Sequence, residues 1–534
     1  MSDNSSLETS KQLTDPVLHK AVNELLAIIA TAFILQMQLG FALIENGIVR
    51  SKNSKNILIK NLFDTCAAAI AFWLFGFGIA FGQKSQGELF GLNGGFFAAS
   101  NFDESKENLY MRWIFQFSFA ATSATIVSGS LAERTQLPAY MVFSMIMTSL
   151  IYPVVVGWCW GGGWLGDANS EGKGFHDFAG SGIVHMVGGT AGFIGALIIG
   201  PRYGKEKRNI MRKNVLEDKE SKDWILKQRS PVEVEWWVNE LQNDVSFETN
   251  SFPFIVFGTI MLIVSWLFFN GGSVGDMFSL EKGNVPKIMM CTLLASTTSG
   301  ITSAFVKPLV IGTYSQNHRY DVGALTNGML AGAVAVTAVA DRCQPWSAFF
   351  IGLISSLSYS LSCKLWNKLN IDDPIEASQV HGACGLWGLI AVGIFDDKKG
   401  LISDSDESYS YLGWQILGAC AIIAWVSVST IPYFLLMRKL NLLRVPLIHE
   451  IIGLDIAEMG SQAKVDNLVA QAIYRAHQRN MRAQSYRNLY RKPGDSKLEA
   501  SKLPNVPPVP GAGVNDASQQ SDVDINRINM EIDE

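Results

Sequence analysis

The groups in this chain best suited to moving a proton are two histidines embedded in apolar sequence. His185 lies in Ile183-Val184-His185-Met186-Val187-Gly188-Gly189, and His381 lies in Gln379-Val380-His381-Gly382-Ala383-Cys384-Gly385. Both read Val-His, with glycine four and seven residues on: Gly189 and Gly192 after the first, Gly385 and Gly388 after the second. An ionisable side chain at membrane depth is unfavourable and by default marks a pathway or a relay. Imidazole suits that role because near neutral pH one ring nitrogen donates while the other accepts. One such histidine is readily explained as a core residue bonded to a backbone carbonyl. Two in matching frames are harder to dismiss.

The elements that must position them are membrane spans. The chain is 48% hydrophobic and only 17% charged, where a soluble domain carries about 25% charge. Charge is scarce through the middle and dense in the loops and the C-terminal tail, the pattern of a polytopic membrane protein. Eleven stretches approach the roughly 20 apolar residues a helical span needs: 22–46, 58–82, 110–132, 138–160, 177–199, 252–270, 286–306, 321–340, 346–366, 375–395 and 411–437. They are too long for barrel strands and do not alternate, so helices are expected. The first apolar run, 25–43, is read as a retained span, not a signal peptide. The expected fold is therefore all-α: a short tail at 1–21, a membrane domain at 22–437 with a long charged loop at 200–251, a partly helical basic tail at 438–492, and an acidic, proline-rich end at 493–534 read as disordered. Seven cysteines are scattered without a CxxC pair. No metal site is implied, although Cys159 and Cys343 lie near span ends where a disulfide could form.

Lys and Arg concentrate in loops 47–57, 133–137, 200–251, 307–320 and 367–374, whereas the opposite loops are richer in acid. The positive-inside rule places the N-terminus outside and the C-terminus inside. The triplet Asn4-Ser5-Ser6 would then be a glycosylation acceptor on the outer side. With His185 in span 5 and His381 in span 10, spans 1–5 and 6–10 form two five-helix units. Five is odd, so the second unit is inverted, an architecture that puts a transport site near the midplane. At the helical rise per residue, both histidines fall roughly 10 Å in from opposite ends of their spans, near the middle of the bilayer.

Further motifs extend the picture: Asp177-Phe178-Ala179-Gly180-Ser181-Gly182 before the first histidine, Gly129-Ser130-Leu131-Ala132-Glu133-Arg134, Trp160-Gly161-Gly162-Gly163-Trp164-Leu165, Phe269-Asn270-Gly271-Gly272-Ser273, and Asp372-Asp373-Pro374 ahead of the second histidine. Over about residues 20–460 the chain resembles the Amt/Mep/Rh group of ammonium transporters. It is closer to the Amt branch, in a eukaryotic-type form, because Trp160 and Ser273 are both present. The resemblance implies a homotrimer of eleven-helix subunits in the plasma membrane, each subunit with its own pore. It implies an outer cation-recruiting site of Trp160, Ser273 and Phe119, a gate of Phe119 and Phe269, and a pore lined by His185 and His381. Asp177, Asn270 and Glu376 would give structural and electrostatic support. Glu376 replaces the aspartate the group carries five residues before the second histidine. In the tail, Gly453-Leu454-Asp455-Ile456-Ala457-Glu458-Met459-Gly460 resembles the group's subunit-docking segment, with Met459 where histidine is usual.

The function expected is passage of ammonium or ammonia across a membrane: selection of the cation, loss of its proton, and movement of ammonia past the histidine pair. Two other readings compete. An ammonium sensor would signal through the basic tail, and a neutral-gas channel of Rhesus type would move no charge. No cofactor, metal or nucleic-acid partner is implied, and no nucleophile–base set or phosphate loop points to an enzyme. Partners beyond the substrate are the membrane lipid and further copies of the chain.

Overall fold

The structure, a computed structural model, describes residues 16–82, 97–100, 102, 108–166, 174–203, 205, 247, 249–250, 251–275, 278, 284–313 and 321–460. The glycosylation triplet, most of loop 200–251, and the expected helix at 462–492 with the acidic end beyond it lie outside these residues.

Eleven apolar helical segments follow one another: α1 (Pro16–Ile48), α2 (Ser51–Phe81), α3 (Leu109–Ser130), α4 (Leu137–Cys159), α5 (Ser181–Ile199), α6 (Phe252–Val274), α7 (Val285–Ile311), α8 (Val322–Val336), α9 (Pro345–Lys368), α10 (Ser378–Phe395) and α11 (Ser408–Lys439). Among the described residues, nine are long and apolar enough to cross a membrane, and α3 and α8 complete the set. Two short helices follow, α12 (Leu447–Ile452) and α13 (Leu454–Ala457). The fold is all-α, and the β pairing among the described residues is a single isolated bridge between Thr135 and Arg444. The boundaries shift from the sequence expectation at the ends: α1 begins at Pro16 and α11 runs from Ser408 to Lys439.

Helix starts follow from the side chains there. Asn108, Ser251, Asn284 and Asp321 each accept a hydrogen bond from the backbone N–H three residues on, at 3.1, 3.4, 3.1 and 2.9 Å. They satisfy donors the helix leaves open. Proline occupies the first turn of α6, α7 and α9, where its missing N–H does no harm. Exposed Leu435, Val428, Ile301 and Phe257 face outward, as lipid-facing residues do, while the buried faces are crowded with Ala, Gly and Ser.

The packing repeats between the halves. In the first, α2 lies against α3 and α4; in the second, α7 lies against α8 and α9; α11 packs on both α5 and α10. All seven cysteines are free thiols. The Cys159–Cys343 pairing is not formed: the Cys291 thiol lies 3.8 Å from the Cys343 carbonyl oxygen instead.

At one end of the bundle the loops are bound by buried charge. Glu133, fully enclosed, accepts from the Arg50 backbone N–H at 2.7 Å and from its guanidinium at 2.6 Å, with Arg202 at 3.3 Å. Arg202 in turn pairs with Asp372 at 2.8 and 3.0 Å, and Lys205 adds a contact at 3.0 Å. Arg134 donates to the carbonyls of Gly200 and Asp372. One network thus ties the loops after α1, α3, α5 and α9. The C-terminal segment joins it through Arg444, which donates to the carbonyls of Ile199 and Pro201 at 3.1 and 2.9 Å, and Asp455 accepts from the N–H groups of Lys55 and Asn56 at 2.9 and 2.8 Å. Burial raises the Glu133 and Asp372 carboxyls, but the arginines outweigh it and hold both below the ordinary carboxylate range. Because these values are depressed on folding, their stabilisation is present above the unfolded carboxyl range, about pH 4, and is lost as pH falls through the lower folded values. Glu133→Gln is expected to destabilise the detergent-solubilised protein by about 3 kcal/mol by stranding buried arginine. Its melting temperature should also depend less on pH below about pH 4 than that of the unsubstituted protein. Thermal unfolding as a function of pH measures both.

Candidate functional site

The two histidines come from helices that start the same way. Asp177 stands eight residues before His185, and its carboxylate accepts from the N–H groups of Gly180, Gly182 and Ile183 at 3.1, 2.9 and 2.8 Å. Asp373 stands eight residues before His381, and its carboxylate accepts from the Ser378 N–H and hydroxyl, both at 2.7 Å, and from Ser130 at 2.9 Å. Five residues before each histidine the backbone turns left-handed, at Gly180 (φ 104°) and at Glu376 (φ 62°). Each histidine then sits in a widened π-type turn, Ser181–Met186 and Ser378–Ala383, before the helix tightens. Such turns are frequent at functional sites.

The widened turns meet without side chains between them. A Cβ on Gly189 would lie 2.1 Å from the Gly382 nitrogen, and one on Gly385 would lie 2.5 Å from the Ser181 carbonyl oxygen. Glycine is required at both because backbone touches backbone. This approach sets the imidazoles face to face, with ring centroids 5.2 Å apart, planes 22° apart and the two Nδ1 atoms 3.3 Å apart. A bond between two Nδ1 atoms dictates the tautomers. One ring carries its proton on Nδ1 and offers a lone pair at Nε2; the other accepts at Nδ1 and offers an Nε2–H. His185 is fully buried, and its Nε2 has no hydrogen-bond partner among the described residues.

Aromatic rings enclose the pair. Trp266 stacks on His185 at 4.8 Å and anchors its indole N–H on Thr337 at 2.9 Å. Phe269 stands 5.5 Å from His185, Phe119 lies 4.3 Å from Phe269, and Trp160 meets Phe119 edge-on at 5.9 Å. The predicted recruitment, gate and pore aromatics therefore form one continuous file from Trp160 to His381. Trp160 is half-buried, and its indole N–H donates to the Asp177 carbonyl at 2.8 Å. Ser273, also half-buried, donates to the Phe269 carbonyl at 2.8 Å, which leaves its oxygen lone pairs to accept. Asn270 is buried behind them and donates to Thr292 at 2.9 Å.

Glu376 is placed differently from its expected partner residues. It lies off the histidines, held by the Lys307 ammonium at 2.7 Å, by Asn327 at 3.0 Å and by the Tyr359 hydroxyl. By position and by bonding, the counterpart of Asp177 is Asp373. Sequence reading missed that role, and the eight-residue spacing common to both histidines is the signal that carries it. It also missed Trp266 and Phe41, the latter 6.0 Å from His381; no local pattern separates those rings from ordinary core aromatics.

Fold and site together define an integral membrane protein of the transporter class, with a narrow file of aromatic and imidazole rings through the middle of a helical bundle. Comparison with known proteins is specific. The Ammonium Transporter Family model matches residues 25–217 and 225–464. The chain is 32% identical over 470 residues to "Ammonium transporter 1 member 3" of Solanum lycopersicum, covering 83% of this chain and 93% of that one. It is 34% identical over 463 residues to "Putative ammonium transporter 1" of Caenorhabditis elegans, covering 83% and 79%. Among solved structures it is similar to one titled "Sensor Amt Protein" (TM-score 0.68, 30% identity, 83% of this chain and 100% of that chain). It is also similar to Saccharomyces cerevisiae Mep2 (TM-score 0.61, 25% identity, 79% and 87%). The chain belongs to the Ammonium Transporter Family.

Gly189→Ala tests the backbone contact. The added methyl has nowhere to go, so a loss of about 2 kcal/mol in stability is expected from overpacking. It should appear as a lowered melting temperature alongside a larger loss of transport activity than of folded protein. Gly162, whose Cβ position is open but whose φ is 75°, serves as the control that strains the backbone without crowding the pair.

Proposed function

We propose that this protein carries ammonium nitrogen across the membrane as ammonia, and that the buried imidazole pair is the element that makes the passage selective. The observation carrying the proposal is the 3.3 Å contact between the histidine Nδ1 atoms in a site walled by Trp266 and Phe269. At the outer mouth, the Trp160 and Phe119 faces attract a cation through the ring quadrupole, and the Ser273 hydroxyl oxygen accepts one of its N–H bonds. Asp177 acts indirectly. It holds the loop that carries Trp160's partner carbonyl, and its charge favours a cation nearby.

Beyond that mouth, Phe119 and Phe269 block hydrated ions. An ammonium ion entering an apolar file loses its hydration at a large free-energy penalty, whereas ammonia is neutral and loses little. Deprotonation therefore precedes entry: the N–H bond breaks and the proton passes to the outer solution. Past the phenylalanines, the paired rings offer one Nε2 acceptor and one Nε2–H donor, the complement of a molecule with three N–H bonds and one lone pair. Alkali cations of similar size have no proton to lose and are excluded. In this reading the protein is a homotrimer in the plasma membrane with its N-terminus outside, as the loop charges and the family resemblance imply.

A second reading has its own support. One structural neighbour is titled a sensor, and residues 461–534 extend the chain well past α13. Uptake of radiolabelled methylammonium into liposomes separates the two: binding without uptake removes the transport reading and leaves the sensor. Ammonium-evoked current separates charge-carrying transport from neutral-gas passage. His185→Ala is expected to lower selective uptake by about a hundredfold, the scale of a lost positioned acid–base group, with the melting temperature little changed. Trp160→Leu should weaken half-saturation several-fold while sparing the maximal rate. Both are read from initial uptake rates against methylammonium concentration.

A further inference from the structure

On the side of the histidine pair away from Phe119 and Phe269 lies a cavity of about 20 Å³, room for one water or one ammonia. His381, Glu45 and Asn327 are its polar lining, and Phe41, Ile126 and Val380 are among its apolar walls. The Asn327 amide is already committed to the Ile375 carbonyl at 3.2 Å and to Glu376 at 3.0 Å. Glu45 is not committed in the same way. It is 2% exposed, and its Oε2 accepts from Asn61 at 2.7 Å and from Ser128 at 3.0 Å. Its Oε1 accepts from no side chain among the described residues, and it faces Gly129, where even a Cβ would stand 3.4 Å away. A carboxyl with one oxygen held and the other turned to a space shared with His381 is placed to exchange a proton with whatever occupies that space.

Behind Glu45 runs a buried polar stripe on α2. Lys60 and Asp64 are one turn apart, and both are fully enclosed. The Asp64 Oδ2 accepts from the Thr125 hydroxyl at 2.7 Å. Lys60 lies over the Tyr140 ring at 5.5 Å, within electrostatic reach of Glu45 on one side and of Glu458, in the C-terminal segment, on the other. Its Nζ has no hydrogen-bond partner among the described residues. An enclosed amine of this kind, within electrostatic reach of a cavity carboxyl and of an exposed one, is anomalous as a purely structural group. The titratable groups facing Glu45 are thus Lys60 and Asp64 from α2 and His381 from α10; α3 and α8 present Ser128 and Asn327.

We propose that Glu45 is a proton-donating station for ammonia that has passed the histidine pair, a role that rests on the transport reading above. As the carboxylic acid, Glu45 gives its Oε1 proton to the ammonia lone pair. The O–H bond breaks, an N–H bond forms, and ammonium is left beside the carboxylate with no change in oxidation state. The ammonium then leaves to the inner solution. Glu45 is reloaded with a proton from that solution by way of Lys60, which lies within electrostatic reach of both it and Glu458. Capture as ammonium prevents return past His381, because the cation cannot re-enter the apolar file.

The test uses the full chain in liposomes, with initial rates of radiolabelled methylammonium uptake measured at inner pH from about 6 to about 8. Glu45→Gln keeps the shape and the contacts to Asn61 and Ser128 but has no proton to give at Oε1. It is expected to lower the initial rate at least about tenfold and to flatten its dependence on inner pH. Glu45→Asp should restore most of both, and Lys60→Met, which leaves Glu45 in place, should flatten the dependence by itself. A Glu45→Gln protein with the unsubstituted rate and slope overturns the proposal. So does an equal loss in Glu45→Gln and Glu45→Asp with the slope intact, which would mark a packing role. An unaltered slope in Lys60→Met overturns the reloading route. Absence of uptake by the unsubstituted protein removes the transport reading itself, an outcome distinct from uptake that ignores Glu45.

Discussion

The arrangement depends on a contact between two backbones. Where α5 and α10 cross, Gly189 meets Gly382 and Gly385 meets Ser181 with no space for a Cβ. Helices normally keep 8–10 Å between axes because side chains fill the gap. Removing the side chains lets the two chains touch, and only then are the imidazoles close enough to share a proton. The two widened turns serve the same end, since each re-aims its histidine toward the partner helix.

This contact repeats across the halves of the molecule. Asp177 and Asp373 cap the two histidine-bearing turns from equal distances in sequence, and Gly180 and Glu376 supply equivalent left-handed residues. The correspondence is in geometry more than in residue type. One half uses glycine for the left-handed position; the other uses glutamate, fixed by Lys307, Tyr359 and Asn327. That ion pair explains how a bulky residue is held at a φ usually left to glycine. It also accounts for the longer acidic side chain at this position: the Glu376 carboxylate serves the Lys307 contact, while capping falls to Asp373.

Charge is distributed unevenly along the bundle axis. At one end the buried carboxylates of Glu133 and Asp372 meet arginines, and the network they form with Arg202 ties four loops together, with the C-terminal segment attached through Arg444 on the Pro201 carbonyl. Nearer the middle the pairing is deliberately incomplete in effect: His185 Nε2 and Lys60 Nζ lack partners among the described residues. Fully satisfied groups rigidify a fold, whereas unsatisfied buried groups are retained where they meet something that comes and goes. The division matches a rigid frame around a passage.

Much of this was legible in the chain itself. The run lengths set eleven helices, the scarcity of charge set the membrane, and the twin Val-His frames with their trailing glycines set the site, because hydrophobic span length and the penalty for a buried charge act locally. Glu45, Lys60 and Asp64 also sit in apolar runs, but no repeated frame surrounds them to mark them as a site. What only the tertiary structure decided is partnership. That Glu376 belongs with Lys307, that Asp373 is the true counterpart of Asp177, that Trp266 walls the imidazoles and that Glu45 shares a cavity with His381 all join residues distant in sequence. Those pairings depend on how helices from the two halves cross, and crossing is settled by close packing over the whole bundle, which no local stretch of sequence contains.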